Sequence, residues 1–171
     1  MIRTEHLLIR RVKTDDWKAI QTIWADMAKS EYARFDMPND TDDRSVSERV
    51  ARWAEFSDSD EHIFCVVCLE DDVIGYVAFN RRDVGYETGY CFRSDCHGRG
   101  FAKESIGALI EAMKDRGAER ITAGTALENT PSVKLLESLG FTLTGTEQVS
   151  FYKDEEGRDI FFEGGIFERR L

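Results

Sequence analysis

The chain has 171 residues, 23 Lys+Arg against 33 Asp+Glu, a formal net charge of −10 and a hydrophobic content of 42%. That length suits one domain spanning 1–171, within the usual range of about 100–200 residues and large enough to build a core without a disulfide or metal staple. The hydrophobic content excludes a disordered chain, two prolines exclude a linker-rich one, and no apolar run near ~18 residues offers a membrane span. The acidic balance argues against general nucleic-acid binding, whose affinity comes from Lys and Arg neutralising phosphates, and is compatible with a cationic substrate.

The first nine residues lack a positive segment followed by a long apolar stretch, so no signal peptide is expected and the cytoplasm is the expected location. There Cys65, Cys68, Cys91 and Cys96 are expected to stay reduced. Residues 4–12 alternate and are rich in Leu and Ile, which predicts a strand. Thr14, Asp15 and Asp16 then supply a cap and an acidic first turn for a helix carrying Trp17, Ile20, Trp24 and Met27 on its apolar side. A polar loop is expected over 35–43, a second helix with Val46, Val50 and Trp53 over 45–56, and a break over 57–61. Two β-branched, aromatic runs, 63–69 and 73–79, read as a hairpin around Glu70, Asp71 and Asp72. Cys65 and Cys68, three apart in the first run, should face opposite sides of a sheet, which favours buried thiols over a shared metal; no metal is expected. His6 and His62 fall in strand-like surroundings without partner spacing and read as structural. The three tryptophans lie on helical stripes and read as core. A polar turn over 80–83 leads to a strand over 86–92.

The apolar period then switches from two to helical across Cys96-His97-Gly98-Arg99-Gly100-Phe101-Ala102. The helix over 103–116 carries Ile106, Leu109, Ile110 and Met113 on one stripe and is stopped by Gly117. A strand over 120–125 completes a βαβ unit, whose crossover should be right-handed with parallel strands. Thr130 and Pro131 open a short helix that Gly140 stops, and two long strands, 141–153 and 158–167, close the chain around Asp154-Glu155-Glu156-Gly157. The expected fold is α+β, a single mostly antiparallel sheet with one parallel crossover and helices on both faces.

A glycine loop between a strand and a helix exposes consecutive N–H groups at a helix N-terminus, an anion site suited to phosphate. The spacing is neither that of a Walker loop nor that of a dinucleotide fingerprint. Alone, the Gly-x-Gly loop reads either as a phosphate cradle or as a plain helix-entry turn.

Glu87-Thr88-Gly89-Tyr90, His97-Gly98-Arg99-Gly100-Phe101-Ala102-Lys103-Glu104, Glu128-Asn129-Thr130-Pro131-Ser132 and Leu139-Gly140-Phe141, in this order and spacing, resemble the GNAT superfamily of N-acetyltransferases. Thr4-Glu5-His6-Leu7-Leu8-Ile9-Arg10 is similar to the opening strand of the subgroup that acetylates ribosomal-protein N-termini, the RimJ/RimL-like enzymes. The resemblance implies acetyl-CoA as co-substrate, its pyrophosphate on the N–H groups of His97, Gly98, Arg99, Gly100, Phe101 and Ala102, with Lys103 beside them. It implies pantetheine along Tyr90, Cys91, Phe92 and Arg93. His97 departs from the Gln or Arg that usually begins this loop. Arg99 reads either as a contact to a coenzyme phosphate or as a solvated loop cation.

Acetyl transfer to an amine needs a neutral amine, and α-amino groups have pKa near 8 while lysine is near 10.4, so a base must take a proton. Glu87 matches the family's acidic strand position and reads as that base or as a carboxylate that positions the amine. The family supplies donors for the developing oxyanion from main-chain N–H groups around Cys91. The family's usual helix tyrosine is replaced by Leu136, and Ser132 reads either as the substitute that hydrogen-bonds the leaving thiolate or as a plain helix N-terminal serine. Asn129 is expected to orient pantetheine or to cap the turn. Tyr32 and Phe35 lie where the family shapes its acceptor pocket, beside the acidic residues Asp36, Asp40, Asp42 and Asp43. The implied activity is direct acetyl transfer to a primary amine in a ternary complex, with a peptide N-terminus favoured. Rival readings are a small-amine acetyltransferase acting on polyamines, aminoglycosides or amino-acid-like amines, and a non-catalytic acyl-CoA-binding module. By family analogy the C-terminal strand pair also admits a homodimer.

Overall fold

The computed structural model describes residues 1–57 and 59–171. An eight-stranded sheet runs in the order β1-β2-β3-β4-β5-β6-β8-β7, in which β1 is Ile2–Arg3, β2 Leu7–Arg11, β3 His62–Leu69, β4 Asp72–Arg81, β5 Tyr86–Phe92, β6 Arg120–Ala126, β7 Thr142–Lys153 and β8 Asp159–Arg170. Every neighbouring pair is antiparallel except β5 and β6, as the βαβ pattern requires. The helices are α1 (Trp17–Met27), α2 (Asp43–Phe56), α3 (Phe101–Asp115) and α4 (Thr130–Ser138). No helix among the described residues is long and apolar enough to cross a membrane.

Strand alternation divides the core between the two faces of the sheet. Cys65 and Val67 join Ile106, Leu109, Ile110, Met113 and Leu136 under α3 and α4. Phe64, Val66 and Cys68 join Ile20, Ile23, Trp24, Val46 and Val50 under α1 and α2. Cys65 and Cys68 therefore do face opposite sides, and all four cysteines are free thiols. Trp24 is fully buried with its indole N–H donating to Tyr76 Oη at 2.9 Å, and Trp53 stacks on Phe64 with ring centroids 4.2 Å apart.

Several expected boundaries move, each for a physical reason. The strand expected over 4–12 shortens to β2, preceded by the two-residue β1, because the Glu104 carboxylate on α3 accepts from the His6 N–H at 2.9 Å and from Thr4 Oγ1, drawing residues 4–6 into a turn. His6 is accordingly in that turn, with Nδ1 2.9 Å from Glu104 Oε2, and His62 opens β3 with Nδ1 3.0 Å from Asn80 Oδ1. Thr14 is not the cap of α1: residues Thr14–Asp16 form a 3-10 turn in which Asp16 accepts the Lys13 N–H at 2.7 Å. Asp42, accepting from the N–H groups of Arg44 and Ser45, starts α2 two residues earlier than expected. The first turn of α3 begins at Phe101 rather than 103, and β4 runs on through Asn80 and Arg81, which were expected in a turn. The last strand reaches Arg170 because its partner β6 holds it through Arg120↔Arg170. The expected break over 57–61 includes Asp58, which lies outside the described residues.

Candidate active site

Strands β5 and β6 pair only at Tyr86↔Ile121 and Glu87↔Thr122, and then diverge. Beyond that point β5 still pairs with β4 up to Gly75↔Phe92, and β6 still pairs with β8 up to Ala126↔Gly164. Each strand thus turns an unpaired backbone edge toward the other inside the sheet. Interior backbone groups normally find partners, so this split is a slot for an extended chain that accepts and donates main-chain hydrogen bonds. A Cβ added at Gly89 or Gly124, one on each lip, would meet nothing within 4 Å.

At the far end of β5 the chain turns through Ser94–Cys96 into the glycine loop. Gly98 and Gly100 have φ of +71° and +83°, the left-handed region that L-residues with a Cβ enter at a cost, and open space lies where a Cβ would project. Gly100 is the N-cap of α3, and the N–H groups from Gly98 to Ala102 have no acceptor outside the helix among the described residues. Together they form a concave nest of donors at a helix N-terminus. The loop is held in place by its neighbours. His97 Nε2 lies 2.9 Å from the Phe92 carbonyl oxygen, and Asp26 on α1 accepts from Ser94 N–H at 2.7 Å and from Ser94 Oγ at 2.9 Å.

The expected coenzyme residues divide into those whose side chains are free and those already engaged. Arg93 donates to Asp72 at 2.7 Å and to Asp95 at 2.8 Å, two carboxylates that raise its pKa further, and its backbone N–H and C=O are engaged by Ile74 and Cys96, so both its side chain and its main chain are already committed. Phe92 and Phe101 are buried in the core, Ala102 is half-buried, and Lys103 is exposed. The Arg99 guanidinium stands over the Phe101 ring, 4.6 Å from its centroid. These main-chain donors and the vacant space above both glycines suit a pyrophosphate, and the lip of β5 suits an amide-bearing arm, which is the chemistry of coenzyme A.

Tyr90, Ser132 and Asn129 come together where α4 meets β5. Asn129 caps α4, its Oδ1 accepting from Ser132 N–H at 3.4 Å, so the capping role is realised. Ser132 Oγ lies 2.8 Å from Tyr90 Oη across 42 residues of sequence. Burial pushes the Tyr90 phenol up to about 12, against the lowering effect of its contact with Ser132, and the Asp36 charge adds to the rise. Leu136, at the family's tyrosine position, is fully buried in the core.

Glu87 stands on the other face of β5 from Tyr90, at the root of the split. Its carboxylate is ion-paired with Arg82, whose Nε donates at 2.8 Å. Cys91 follows on the Glu87 face and packs on Met27, Sγ 3.7 Å from Sδ. Burial, with Asp36 and Asp26 adding their charge, pushes its thiol up to about 12. Phe35 is buried in a 3-10 turn and meets Phe162 of β8 edge-on at 5.3 Å, while Tyr32 is half-buried just before it. The turn is tied down again by Arg34–Glu128 at 3.1 Å and by Tyr152 Oη donating to the Ala33 carbonyl at 3.3 Å. The pairs Tyr90–Ser132, Arg82–Glu87 and Phe35–Phe162 have no local sequence signal; each joins residues whose proximity only the folded sheet creates.

The Acetyltransferase (GNAT) domain model matches residues 6–142. The chain is 29% identical over 167 residues to an uncharacterized N-acetyltransferase, p20, of Bacillus licheniformis, covering 92% of this chain and 89% of that one. Its fold superimposes on a ribosomal-protein-S5-alanine acetyltransferase from Vibrio fischeri with a TM-score of 0.83 at 20% identity, covering 99% and 95% of the two chains. It also superimposes on the microcin C7 self-immunity acetyltransferase MccE, solved in complex with acetyl-CoA and AMP, with a TM-score of 0.82 at 16% identity over 98% and 94%. A glycine nest at the mouth of a split parallel pair, in a chain that the family model covers over most of its length, has one reading: the protein is an N-acetyltransferase of the GNAT family.

Proposed function

We propose that this enzyme transfers the acetyl group of acetyl-CoA to a primary amine, a protein or peptide N-terminus in preference to a small amine, by direct attack within a ternary complex. The observation that carries this reading is the split between β5 and β6, with the Gly98–Gly100 nest at its mouth. Bound acetyl-CoA supplies the acyl group as a thioester. The N–H groups of 98–102 hold its phosphates, and the free edge of β5 over Gly89 to Phe92 holds the amide arm. The main-chain N–H near Cys91 offers a fixed donor to the developing charge on the acyl oxygen. Glu87 takes the proton of the acceptor amine, directly or through one water. Ser132 offers its hydroxyl to the departing sulfur. Preference for a peptide N-terminus is supported by the similarity in fold to a ribosomal-protein acetyltransferase and by the opening strand; an extended acceptor also suits a slot rimmed by strand edges.

Calorimetric titration with acetyl-CoA, followed by thiol-release assays on Ala-led and Ser-led hexapeptides, spermidine and free amino acids, tests the proposal. Stoichiometric coenzyme binding with highest kcat/KM on a peptide is expected. Turnover restricted to spermidine or amino acids overturns the acceptor assignment, and binding without turnover on any amine overturns the enzymatic one.

A further inference from the structure

We propose that Tyr90 is a positioning residue for the transfer step: its phenol donates to Ser132 Oγ and thereby turns the serine's single proton outward, toward the sulfur that leaves. This rests on the coenzyme reading above. A serine hydroxyl has one hydrogen and two acceptor lone pairs, and the 2.8 Å contact with Tyr90 uses one of these three. If serine were the donor in that contact, it would have nothing to offer the sulfur. A phenol is the stronger donor of the two, and no other acceptor for Tyr90 Oη is present among the described residues. Tyr90 is also kept protonated: burial pushes it up to about 12, so it remains a donor across the whole working range.

Ser132 sits in the first turn of α4, where the orphan N–H groups give a positive potential that favours a nearby anion. The charges around the pair are few. Asp36 reaches it from the segment after the 3-10 turn, Cys91 on β5 is a neutral thiol, Glu128 ahead of α4 is neutralised by Arg34, and Lys134 lies two residues beyond Ser132 on α4. In the reaction the carbon–sulfur bond breaks with its electron pair left on sulfur, the carbon–nitrogen bond forms, and the proton released from nitrogen goes to Glu87. Ser132 therefore donates a hydrogen bond and does not need to give up its proton, which removes the difficulty that an alcohol is a poor acid. Tyr90, acting through Ser132, supplies what the buried Leu136 cannot.

The test is the ionisation of enzyme-bound free CoA, followed by thiolate absorbance with the acetyl-CoA complex as blank. Burial above all raises the pKa of all four protein thiols, and an apo-enzyme titration subtracted alongside removes their contribution. Wild type is expected to bind CoA with a thiol pKa below that of free CoA. Tyr90→Phe and Ser132→Ala should each raise it by roughly one pH unit, the double variant by no more than either, and Ser132→Thr should restore it. In turnover, Tyr90→Phe should lower kcat about tenfold with KM for acetyl-CoA unchanged. CoA binding with the wild-type titration preserved in Tyr90→Phe overturns this inference alone, as do effects of the two variants that simply add. Absence of CoA binding by the folded wild type overturns the coenzyme reading together with it.

Discussion

The guanidinium of Arg82 lies against the carboxylate of Glu87, with Nε at 2.8 Å, so the carboxylate proposed to accept a proton from the amine is already paired with a cation. Both side chains are about half exposed, and the pair is screened by solvent. An arriving ammonium must share or displace Arg82. Glu87→Gln should lower kcat by about 10²-fold, the low end for loss of a general base, without weakening coenzyme binding. The deficit should be largest below pH ~8, where an α-amino group is charged and needs a base, and should shrink above it. Arg82→Gln should lower KM for cationic acceptors. A pH–rate profile of Glu87→Gln parallel to wild type removes the base assignment.

Gly100 carries φ +83° with open space above it, so an added methyl costs backbone strain and intrudes on the donor nest. Gly100→Ala should lose about 1 kcal/mol of stability and at least tenfold in acetyl-CoA affinity. Gly157, with φ +81° and equally open space in the β7–β8 turn, is the matched control. Gly157→Ala should lose similar stability and no affinity. Equal affinity in both variants, read by calorimetry, would place the phosphates elsewhere.

With its thiol pushed up to about 12, Cys91 carries almost no thiolate at neutral pH and makes a poor nucleophile. Wild-type enzyme incubated with acetyl-CoA in the absence of amine should show no acetyl adduct by intact mass. A stoichiometric acetyl-cysteine there rejects direct transfer.

Asp16 is almost fully buried and receives two hydrogen bonds from Arg10 and one from Lys13 N–H, each at 2.7 Å. Burial pushes its carboxyl up, but these bonds outweigh it and the net shift is downward. A lowered native pKa means the pair stabilises the fold above the unfolded carboxyl's pKa of ~3.9 and that this contribution is lost as pH falls through the native value. Asp16→Asn leaves Arg10 without its counter-charge and should cost about 3 kcal/mol at pH 7. Denaturant titration should find the difference between wild type and variant narrowing below pH ~4; a constant gap contradicts the linkage.

Periodicity made the helices, the hairpin and the parallel crossover legible, because Ile106, Leu109, Ile110 and Met113 must share one face whatever they pack against. The glycine loop was legible because left-handed backbone at a helix start leaves few residue choices. What local pattern could not carry are events decided far away in sequence. Glu104 shortens the first strand from α3, and Tyr90 meets Ser132 only because β5 and α4 are brought together by the crossover. Arg82 reaches Glu87 across a turn whose residues look merely polar.

Phe35 and Phe162 meet edge-on at 5.3 Å, and Phe151 adds a third ring 5.7 Å from Phe162, so the segment before Asp36 is clamped to the C-terminal strand pair by aromatic contacts. Such pairs contribute about 0.5–1.5 kcal/mol beyond the area they bury. Phe35 thus pins the segment between Tyr32 and Asp36, whose Asp36 charge is felt at Tyr90 and Cys91. Among the described residues, no ring contact joins this clamp to the glycine loop over 97–102. Phe162→Ala should therefore raise KM for the acceptor severalfold while leaving acetyl-CoA affinity and the kcat of saturated enzyme near wild type. Stopped-flow binding of acetyl-CoA beside steady-state kinetics on a peptide separates the two. A variant that loses both affinities together would show that the β7–β8 pair supports the whole split, and one that loses neither would show that the segment before Asp36 takes no part in holding the acceptor.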